Sequence, residues 1–333
     1  MARTPVAQLR LNATLRKQTF LLRDKIVSTT RAGNPMLRVT LADRTGTIAG
    51  VMFDVPAHVA DSLVAGGGVE VTGKVGEFRD QFQISLERIV PTALPSLEEF
   101  LPSARRPIEE MQAELDALLA DISQPDLSRL LNVIFGDKDT YHAFTHAPAA
   151  KVNHHACIGG LLEHTLSVVR IVLTACDLYP ELDRDLVLTA TLLHDLGKID
   201  SYDPVSFQLT KEGILWTHLY MGASRVEHLI DTLPGFPAEL RLRLIHAILA
   251  HHGRLEHGSP VVPSTLEAIV LHYADNLDGD ARGAIDQMAR TPVEGGAFTD
   301  RSLMHDTRIY RGSVDWADDQ DADEGPAGQG SLW

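Results

Sequence analysis

Cysteine is nearly absent from this sequence. Only Cys157 and Cys176 occur among 333 residues, and both lie in apolar helical patterns. A disulfide framework is therefore excluded as the source of stability, and a reducing compartment fits the chain. We predict that both are buried, unreactive thiols.

Long apolar segments are also missing. Residues 1–20 contain no apolar core of a signal peptide, and no stretch of the chain approaches the roughly 18 uncharged apolar residues that a membrane-spanning helix needs. We therefore expect a cytoplasmic protein with no membrane partner.

Positive charge is in deficit, because 30 Lys and Arg residues face 45 Asp and Glu residues, giving a formal net charge of −15. Since neutralised phosphates supply most non-specific affinity for nucleic acid, this balance excludes a uniformly basic coat but permits a local basic groove. Residues 314–333 contain six acidic residues and no basic one. We predict that residues 293–333 form an acidic, disordered tail.

The chain is longer than one typical compact domain, so we expect two domains. Residues 18–90 contain five short β-rich segments separated by turn signals, with helical spacing over 56–65 between the third and fourth. This order is typical of an OB-fold barrel, whose exposed strand face commonly binds oligonucleotides. We predict an all-β OB-fold over residues 1–95.

Helical periodicity dominates the chain beyond the barrel. We assign residues 96–125 as a helical linker with a helix at 108–122, and residues 126–292 as an all-α domain. Apolar residues recur there at spacings of three and four, which indicates helices sharing one core. The predicted helices of this domain are 127–135, 159–178, 184–196, 219–233, 238–251 and 265–288.

The segment TLLHDLGKID carries the clearest chemical signal. His194 and Asp195 stand side by side at the end of an apolar helical run, before Gly197 ends the helix. Adjacent helical residues diverge by about 100°, so imidazole and carboxylate reach one metal ion only at the helix end. The pair is therefore a candidate metal site.

Four other segments offer further ligands. Imidazole nitrogen and carboxylate oxygen suit Mn, Fe, Zn or Ni without choosing among them. Two metal ions about 4 Å apart would let one carboxylate bridge them, which suits phosphodiester chemistry. The candidates are His164 in GGLLEHT, His218 in WTHLY, His251 and His252 in ILAHHG, and Asp275 in LHYADNLD.

Most single histidines on helices are structural, so the remaining ones need a separate argument. His154 and His155 precede a Gly-Gly turn and are left between three interpretations: supporting a metal ligand, contacting substrate, or capping a helix. We assign no function to His228, His246, His257, His272 and His305.

The order of these motifs resembles the HD superfamily of metal-dependent phosphohydrolases. More narrowly, the segments FTHAPAAKVNHHACIGGLLEHTLSV, LLHDLGKI and AILAHHGRLEHGSP resemble the YhaM-type 3′-to-5′ exoribonucleases, in which a barrel also precedes the HD domain. The resemblance covers about residues 17 to 290. It implies an enzyme that removes nucleoside 5′-monophosphates from the 3′ end of single-stranded RNA, with single-stranded DNA as a further substrate left open.

The resemblance also implies two divalent metal ions. Manganese is the expected ion, and Fe, Ni, Co, Zn and Mg are alternatives. By position in the motifs, the first ion would be held by His164, His194, Asp195 and Asp275. The second would be held by His218 and His251, with Asp195 bridging.

Three residues are assigned catalytic parts. By the same resemblance, Asp195 would bridge the metal ions, and His252 would be either a further ligand or an orienting neighbour. Lys198 follows the His-Asp pair by one turn, and its ammonium would stabilise charge on the phosphoryl oxygens. The structural alternative for Lys198 is a cation that complements the helix dipole.

The barrel has its own candidate contacts for single-stranded RNA or DNA. Residues 17–95 contain nine Lys or Arg and eight Asp or Glu residues, so the barrel is near neutral in an acidic chain. Exposed aromatic rings in such barrels stack on bases. The predicted nucleic-acid contacts are Arg23, Lys25, Arg31, Arg38, Lys74, Phe78, Arg79 and Phe82.

Two other functions are weighed against an exonuclease. One is a phosphohydrolase of small or cyclic nucleotides, with the barrel as an assembly surface. The other is a non-catalytic single-strand binder, which is disfavoured because His or Asp fills each expected ligand position. The sequence leaves the oligomeric state open, homo-oligomers included.

Overall fold

The computed structural model describes residues 3–30, 33–78, 81–95, 99–150, 155–290, 297–302 and 304–312. A β-barrel is followed by a helical domain, which confirms the predicted fold class. None of the helices in the described residues combines the length with the apolar character that a membrane crossing requires.

The barrel closes in the strand order β1-β2-β3-β5-β4, with β3 and β5 parallel. In β2, Leu37, Val39 and Leu41 are buried in the barrel core, whereas Arg38 between them is exposed, as strand alternation requires. The predicted five strands and the helix between the third and fourth are all present. They are β1 (Thr14–Thr29), β2 (Pro35–Asp43), β3 (Gly46–Phe53), α1 (Ala57–Ser62), β4 (Gly68–Phe78) and β5 (Gln81–Thr92).

The helical domain packs around α5 and α6, which are buried along most of their length. The prediction missed α4, whose sequence KDTYHAFTH is too polar for a clear apolar period; Asp137 caps its first turn. The helices are α2 (Ile108–Asp121), α3 (Pro125–Gly136), α4 (Lys138–His146), α5 (Gly160–Leu178), α6 (Arg184–Leu193), α7 (Lys198–Ser201), α8 (Lys211–Asp231), α9 (Ala238–Ala250) and α10 (Leu266–Arg290).

Two segments differ from their predicted assignments. Met111 and Leu115 of α2 are fully buried in the helical core, so this helix packs as part of the domain rather than as a linker. Within the predicted disordered tail, β6 (Phe298–Ser302) and β7 (Thr307–Tyr310) form an antiparallel hairpin. The acidic residues behind that prediction lie beyond residue 312, outside the described residues.

The two domains meet at a small apolar cluster. Leu21 and Ala42 of the barrel pack with Phe207, which lies in the segment between α7 and α8. The guanidinium of Arg23 lies 4.3 Å from the centroid of the Phe207 ring, and its Nε donates a hydrogen bond to the Ser206 carbonyl at 2.9 Å. The barrel is thereby attached to the segment that joins the helices of Lys198 and His218.

We expect Phe207→Ala to lower the free energy of unfolding by about 3 to 5 kcal/mol, because a fully buried ring is lost from the domain interface. The matched control is Phe53→Ala in the barrel, where the ring is 60% exposed and the expected change is within about 0.5 kcal/mol. Urea unfolding curves of the full chain measure both. Equal losses in the two variants would contradict the interface assignment.

Candidate metal centre and nucleic-acid surface

The ends of α6 and α9 aim two histidine rings at one buried space. The His194 ring bonds through Nδ1 to the Thr191 carbonyl at 2.7 Å, and His251 bonds in the same way to the Ile248 carbonyl at 2.7 Å. Each Nδ1 therefore carries the proton, which leaves Nε2 as a lone-pair donor. The local helix geometry thus presents both rings as ligands.

Asp195 lies between two pairs of imidazoles. Its Oδ2 is 3.3 Å from His194 Nε2 and 3.5 Å from His164 Nε2. Its Oδ1 is 3.4 Å from His218 Nε2 and 3.7 Å from His251 Nε2. One carboxylate therefore faces a separate cluster with each oxygen, as a bridging ligand does.

The remaining predicted ligands join these clusters. Asp275 on α10 places Oδ1 3.1 Å from His164 Nε2 and 3.8 Å from His194 Nε2. On the other side, ligand atoms of His218, His251 and His252 lie within 4.8 Å of one another. The structure thus brings together all six residues predicted to bind metal, and it places His252, predicted as a further ligand or an orienting neighbour, beside the second cluster.

Unpartnered polar atoms mark where a cation fits. His194 Nε2, Asp195 Oδ1 and His218 Nε2 are buried and have no hydrogen-bond partner among the described residues. Leaving such an atom unsatisfied costs about 1 to 3 kcal/mol. Imidazole nitrogens and carboxylate oxygens converging on a shared space form a donor set that suits a divalent transition metal. The residues therefore fit the implied metal ions.

Burial and charge favour the deprotonated forms of three ligands, Asp195, His218 and His251, whereas hydrogen bonds to Asp275 and Asp278 outweigh burial and raise the pKa of His164 to about 9. Burial alone would raise the pKa of Asp195, but the Lys198 ammonium, 2.7 Å from Oδ2, and the His194 ring hold it well below its usual range. Burial lowers the pKa of His251 to about 3 and that of His218 well below its ordinary value. The two imidazoles are therefore neutral at physiological pH.

Sequence reasoning missed two carboxylates behind His164, those of Asp278 and Glu163, and left the part of His155 open. Its Nδ1 lies 2.7 Å from Asp278 Oδ2, and the same oxygen is 3.3 Å from His155 Nε2. His155 Nδ1 is 3.1 Å from Glu163 Oε2 in turn. A buried chain of alternating carboxylates and imidazoles thus orients the His164 ring. Of the interpretations left open for His155, the structure favours support of a ligand; His154 lies outside the described residues.

We expect Asp278→Asn to weaken metal affinity by about 10 to 100-fold, because an amide replaces the carboxylate that orients His164 and raises its basicity. Titration of the chelator-treated protein with Mn²⁺, followed by calorimetry, measures this. Asp286→Asn is the control, since Asp286 lies on the same helix but pairs with Arg105. Equal affinities for the wild type and Asp278→Asn would contradict the assignment.

A cleft of about 290 Å³ opens beside the first cluster. Its lining includes His257, to which we assigned no function, and Met304 from the turn between β6 and β7. His257 lies in the segment AILAHHGRLEHGSP, but that segment did not identify it as lining the site, and Met304 lies in no motif; both placements depend on packing. The cleft is lined by Ala149, His164, Lys198, His252, His257, Asp275, Asn276, Gly279, Asp280 and Met304.

Four of the predicted nucleic-acid residues are exposed on the barrel. Arg38 pairs with Val51, Val51 with Ser85, and Ser85 with Lys74, so both cations lie in one row on the outer face. Phe78 and Phe82, at the tip of the β4-β5 hairpin, are 58% and 47% exposed. Phe78 pairs with Gln81 and Phe82 with Glu77, so their rings project from opposite faces.

Two predicted phosphate contacts are corrected. Arg23 is only 8% exposed because it is buried in the domain interface against Phe207. Lys25 Nζ donates to the carbonyls of Ala60, at 2.8 Å, and Leu63, where it complements the C-terminal end of α1. Arg31 and Arg79 lie outside the described residues.

Comparison with known proteins finds a family match for each of the two domains. The family model "HD domain" matches residues 161–280, and the model "OB-fold nucleic acid binding domain" matches residues 21–92. The 3′-5′ exoribonuclease YhaM of Bacillus velezensis is 33% identical over 297 residues, covering 88% of this chain and 93% of the relative. That of Bacillus pumilus is 33% identical over 282 residues, covering 84% and 88%. That of Bacillus subtilis is 31% identical over 297 residues, covering 88% and 93%.

Proposed function

We propose that this chain, which belongs to the YhaM family of 3′-5′ exoribonucleases, shortens single-stranded RNA from its 3′ end and releases nucleoside 5′-monophosphates. The observation that carries the proposal is Asp195, whose two oxygens face two imidazole pairs. The cluster adjoins a cleft that His164, Lys198 and Asp275 help to line. Such an arrangement suits hydrolysis of a phosphodiester.

The HD domain implies dependence on a divalent metal ion. We propose two ions for this chain, with manganese as the expected metal. When bound, they supply Lewis-acid stabilisation of phosphoryl oxygens and lower the pKa of water. The first would be held by His164, His194, Asp195 and Asp275, and the second by His218, His251 and Asp195, with His252 adjacent.

Charge and burial within the chain set the protonation of the ligands, and Lys198 adds a positive charge at the cleft. The Lys198 ammonium holds Asp195 as a carboxylate, and burial keeps His218 and His251 neutral, so these three groups are available as ligands without loss of protons. His164 differs, because its hydrogen bonds to Asp275 and Asp278 outweigh burial and raise its pKa to about 9, so that ring would release a proton when it binds a metal ion. Lys198 also lines the cleft, where its charge would stabilise the phosphoryl oxygens as negative charge develops on them. Its favourable contribution is largest in the transition state.

We further propose that the outer face of the barrel holds the upstream part of the strand through Arg38 and Lys74. Replacing both by alanine should reduce the slope of log affinity against log salt by about 0.7 for each lost phosphate contact with a single strand. Binding is measured with a fluorescent RNA in the Asp195→Asn background. Arg88→Ala is the control, since Arg88 is ion-paired with Glu70 at 2.9 Å; an unchanged slope in the double variant would exclude this face.

Product analysis tests the proposed function. The wild-type chain is incubated with Mn²⁺ and unlabelled single-stranded RNA, and in parallel with cyclic nucleotides, and the products are separated by chromatography. We expect RNA to yield nucleoside 5′-monophosphates, and we expect none of these products when a chelator is present. Intact RNA together with hydrolysed cyclic nucleotides would contradict the proposal and assign the site to small substrates.

A further inference from the structure

The hairpin β6-β7 forms one wall of the cleft at the metal centre. Met304, in its turn, lines the cleft and is 45% exposed. His305 Nε2 donates a hydrogen bond to the Asp280 carbonyl at 3.0 Å, and the Gln287 side chain donates to the Asp300 carbonyl at 2.9 Å. The hairpin is thus fixed to α10 beside the cleft.

One face of α10 forms the adjoining wall. Asp275, Asn276, Gly279 and Asp280 all line the cleft. Gly279 lies about one helical turn after Asp275, and glycine inside a helix costs roughly 0.5 to 1 kcal/mol relative to alanine. At this position the missing side chain leaves space next to the metal ligand.

Asp280 determines which chemical groups this part of the cleft can bind. Its side chain is exposed, and its backbone carbonyl rather than its carboxylate holds the hairpin. Lys198 also lines the cleft, but its ammonium is 2.7 Å from Asp195, with which it pairs. A carboxylate here repels phosphate and accepts hydrogen bonds from hydroxyl groups.

The end of an RNA strand offers such hydroxyl groups. A terminal nucleotide carries free 2′ and 3′ hydroxyls, whereas an internal nucleotide carries the next phosphate on its 3′ oxygen. Hydrolysis of the last linkage places the phosphate on the 5′ side of the last nucleotide at the metal centre. The ribose of that nucleotide is attached to this phosphate and therefore lies in the adjoining part of the cleft. The wall carrying Asp280 and Met304 lines the same cleft as the metal-site residues His164 and Asp275.

We propose that Asp280 binds the 2′ and 3′ hydroxyls of the terminal ribose, in a subsite that Asn276, Gly279 and Met304 complete. This subsite restricts hydrolysis to free 3′ ends, because a continuing strand would bring a phosphate against the carboxylate and its next nucleotide against Met304. The inference rests on the proposed exonuclease function. Asp280 determines specificity and takes no part in bond cleavage.

Three versions of one 5′-labelled RNA test the subsite in the full chain: one with a normal 3′ end, one with a 2′-deoxy terminal nucleotide, and one with a 3′-phosphate. For the wild type we expect kcat/KM to fall at least about tenfold on each altered end, as loss of hydrogen bonds to a charged group predicts. Asp280→Asn should reduce both differences, with faster cleavage of the 3′-phosphate RNA.

The control is Asp177→Asn, an exposed aspartate more than three turns along α5 from His164, which should keep the wild-type ratios. Equal kcat/KM on all three ends, or wild-type ratios in Asp280→Asn, would overturn the inference while RNA shortening still supports the exonuclease. A wild type that hydrolyses bis(4-nitrophenyl) phosphate but shortens none of the three RNAs would overturn the proposed function and the subsite with it.

Discussion

Asp195→Ala should abolish hydrolysis of RNA while leaving oligonucleotide binding close to the wild-type level. Both oxygens of this carboxylate face imidazole pairs, so its removal takes a ligand from both clusters at once. The loss should exceed the roughly 100-fold that removing a hydrogen-bond partner of a metal ligand typically costs. Single-turnover rates with Mn²⁺ and a separate binding titration measure the two effects.

Two further variants make this result interpretable. Asp195→Asn keeps the shape of the side chain and removes the charge, so a folded but inactive protein is expected. Asp200→Ala is the neighbouring control, because Asp200 pairs with Arg225 at 2.7 Å. Hydrolysis that survives in Asp195→Ala, or is lost equally in Asp200→Ala, would remove Asp195 from the catalytic centre.

Metal removal should lower both activity and thermal stability. A ligand that binds only the folded state adds about 2.7 kcal/mol at a hundred times its Kd. For domains of this size each kcal/mol shifts Tm by roughly 2 to 4 °C. Chelator-treated protein should therefore unfold several degrees below protein supplied with excess Mn²⁺, since the buried Asp195 and the partly buried Asp275 carboxylates lose their compensating cations. Differential scanning calorimetry measures the shift.

The Asp195→Ala variant provides the matched comparison for this shift. It should gain less thermal stability from Mn²⁺ than the wild type, because both clusters have lost a ligand. Identical melting temperatures with and without metal in the wild type would show that these side chains bind no ion tightly. An equal gain in the variant would locate the bound ion elsewhere.

Local patterns predict the barrel well, and they single out the His and Asp residues that the structure brings together in one cluster. Alternation in β2 separates the buried Leu37, Val39 and Leu41 from Arg38, and residue spacing identifies His194 and Asp195 at a helix end. Strand alternation does not predict the burial of Arg23, because the register of β1 shifts between Leu22 and Asp24. At this shift, consecutive residues become buried, and an arginine is turned into the domain interface.

Two features of the site, the part played by Asp278 and the hairpin wall with Met304, depend on tertiary packing and could not be predicted from the sequence. Asp278 follows Asp275 by one turn on α10, a spacing that places both on one helix face, but its part depends on His155 arriving from a distant segment. The hairpin wall with Met304 was hidden because composition assigned it to the acidic tail. Contacts made across long sequence separations leave no periodic pattern.

Digestion of a 5′-labelled single-stranded RNA with Mn²⁺ tests the central claim most directly. We predict a ladder of labelled fragments that shortens from the 3′ end, and that disappears both with a chelator and in Asp195→Ala. Release of a labelled mononucleotide at the earliest times, or persistence of the ladder in Asp195→Ala, would contradict 3′-to-5′ hydrolysis at this metal centre.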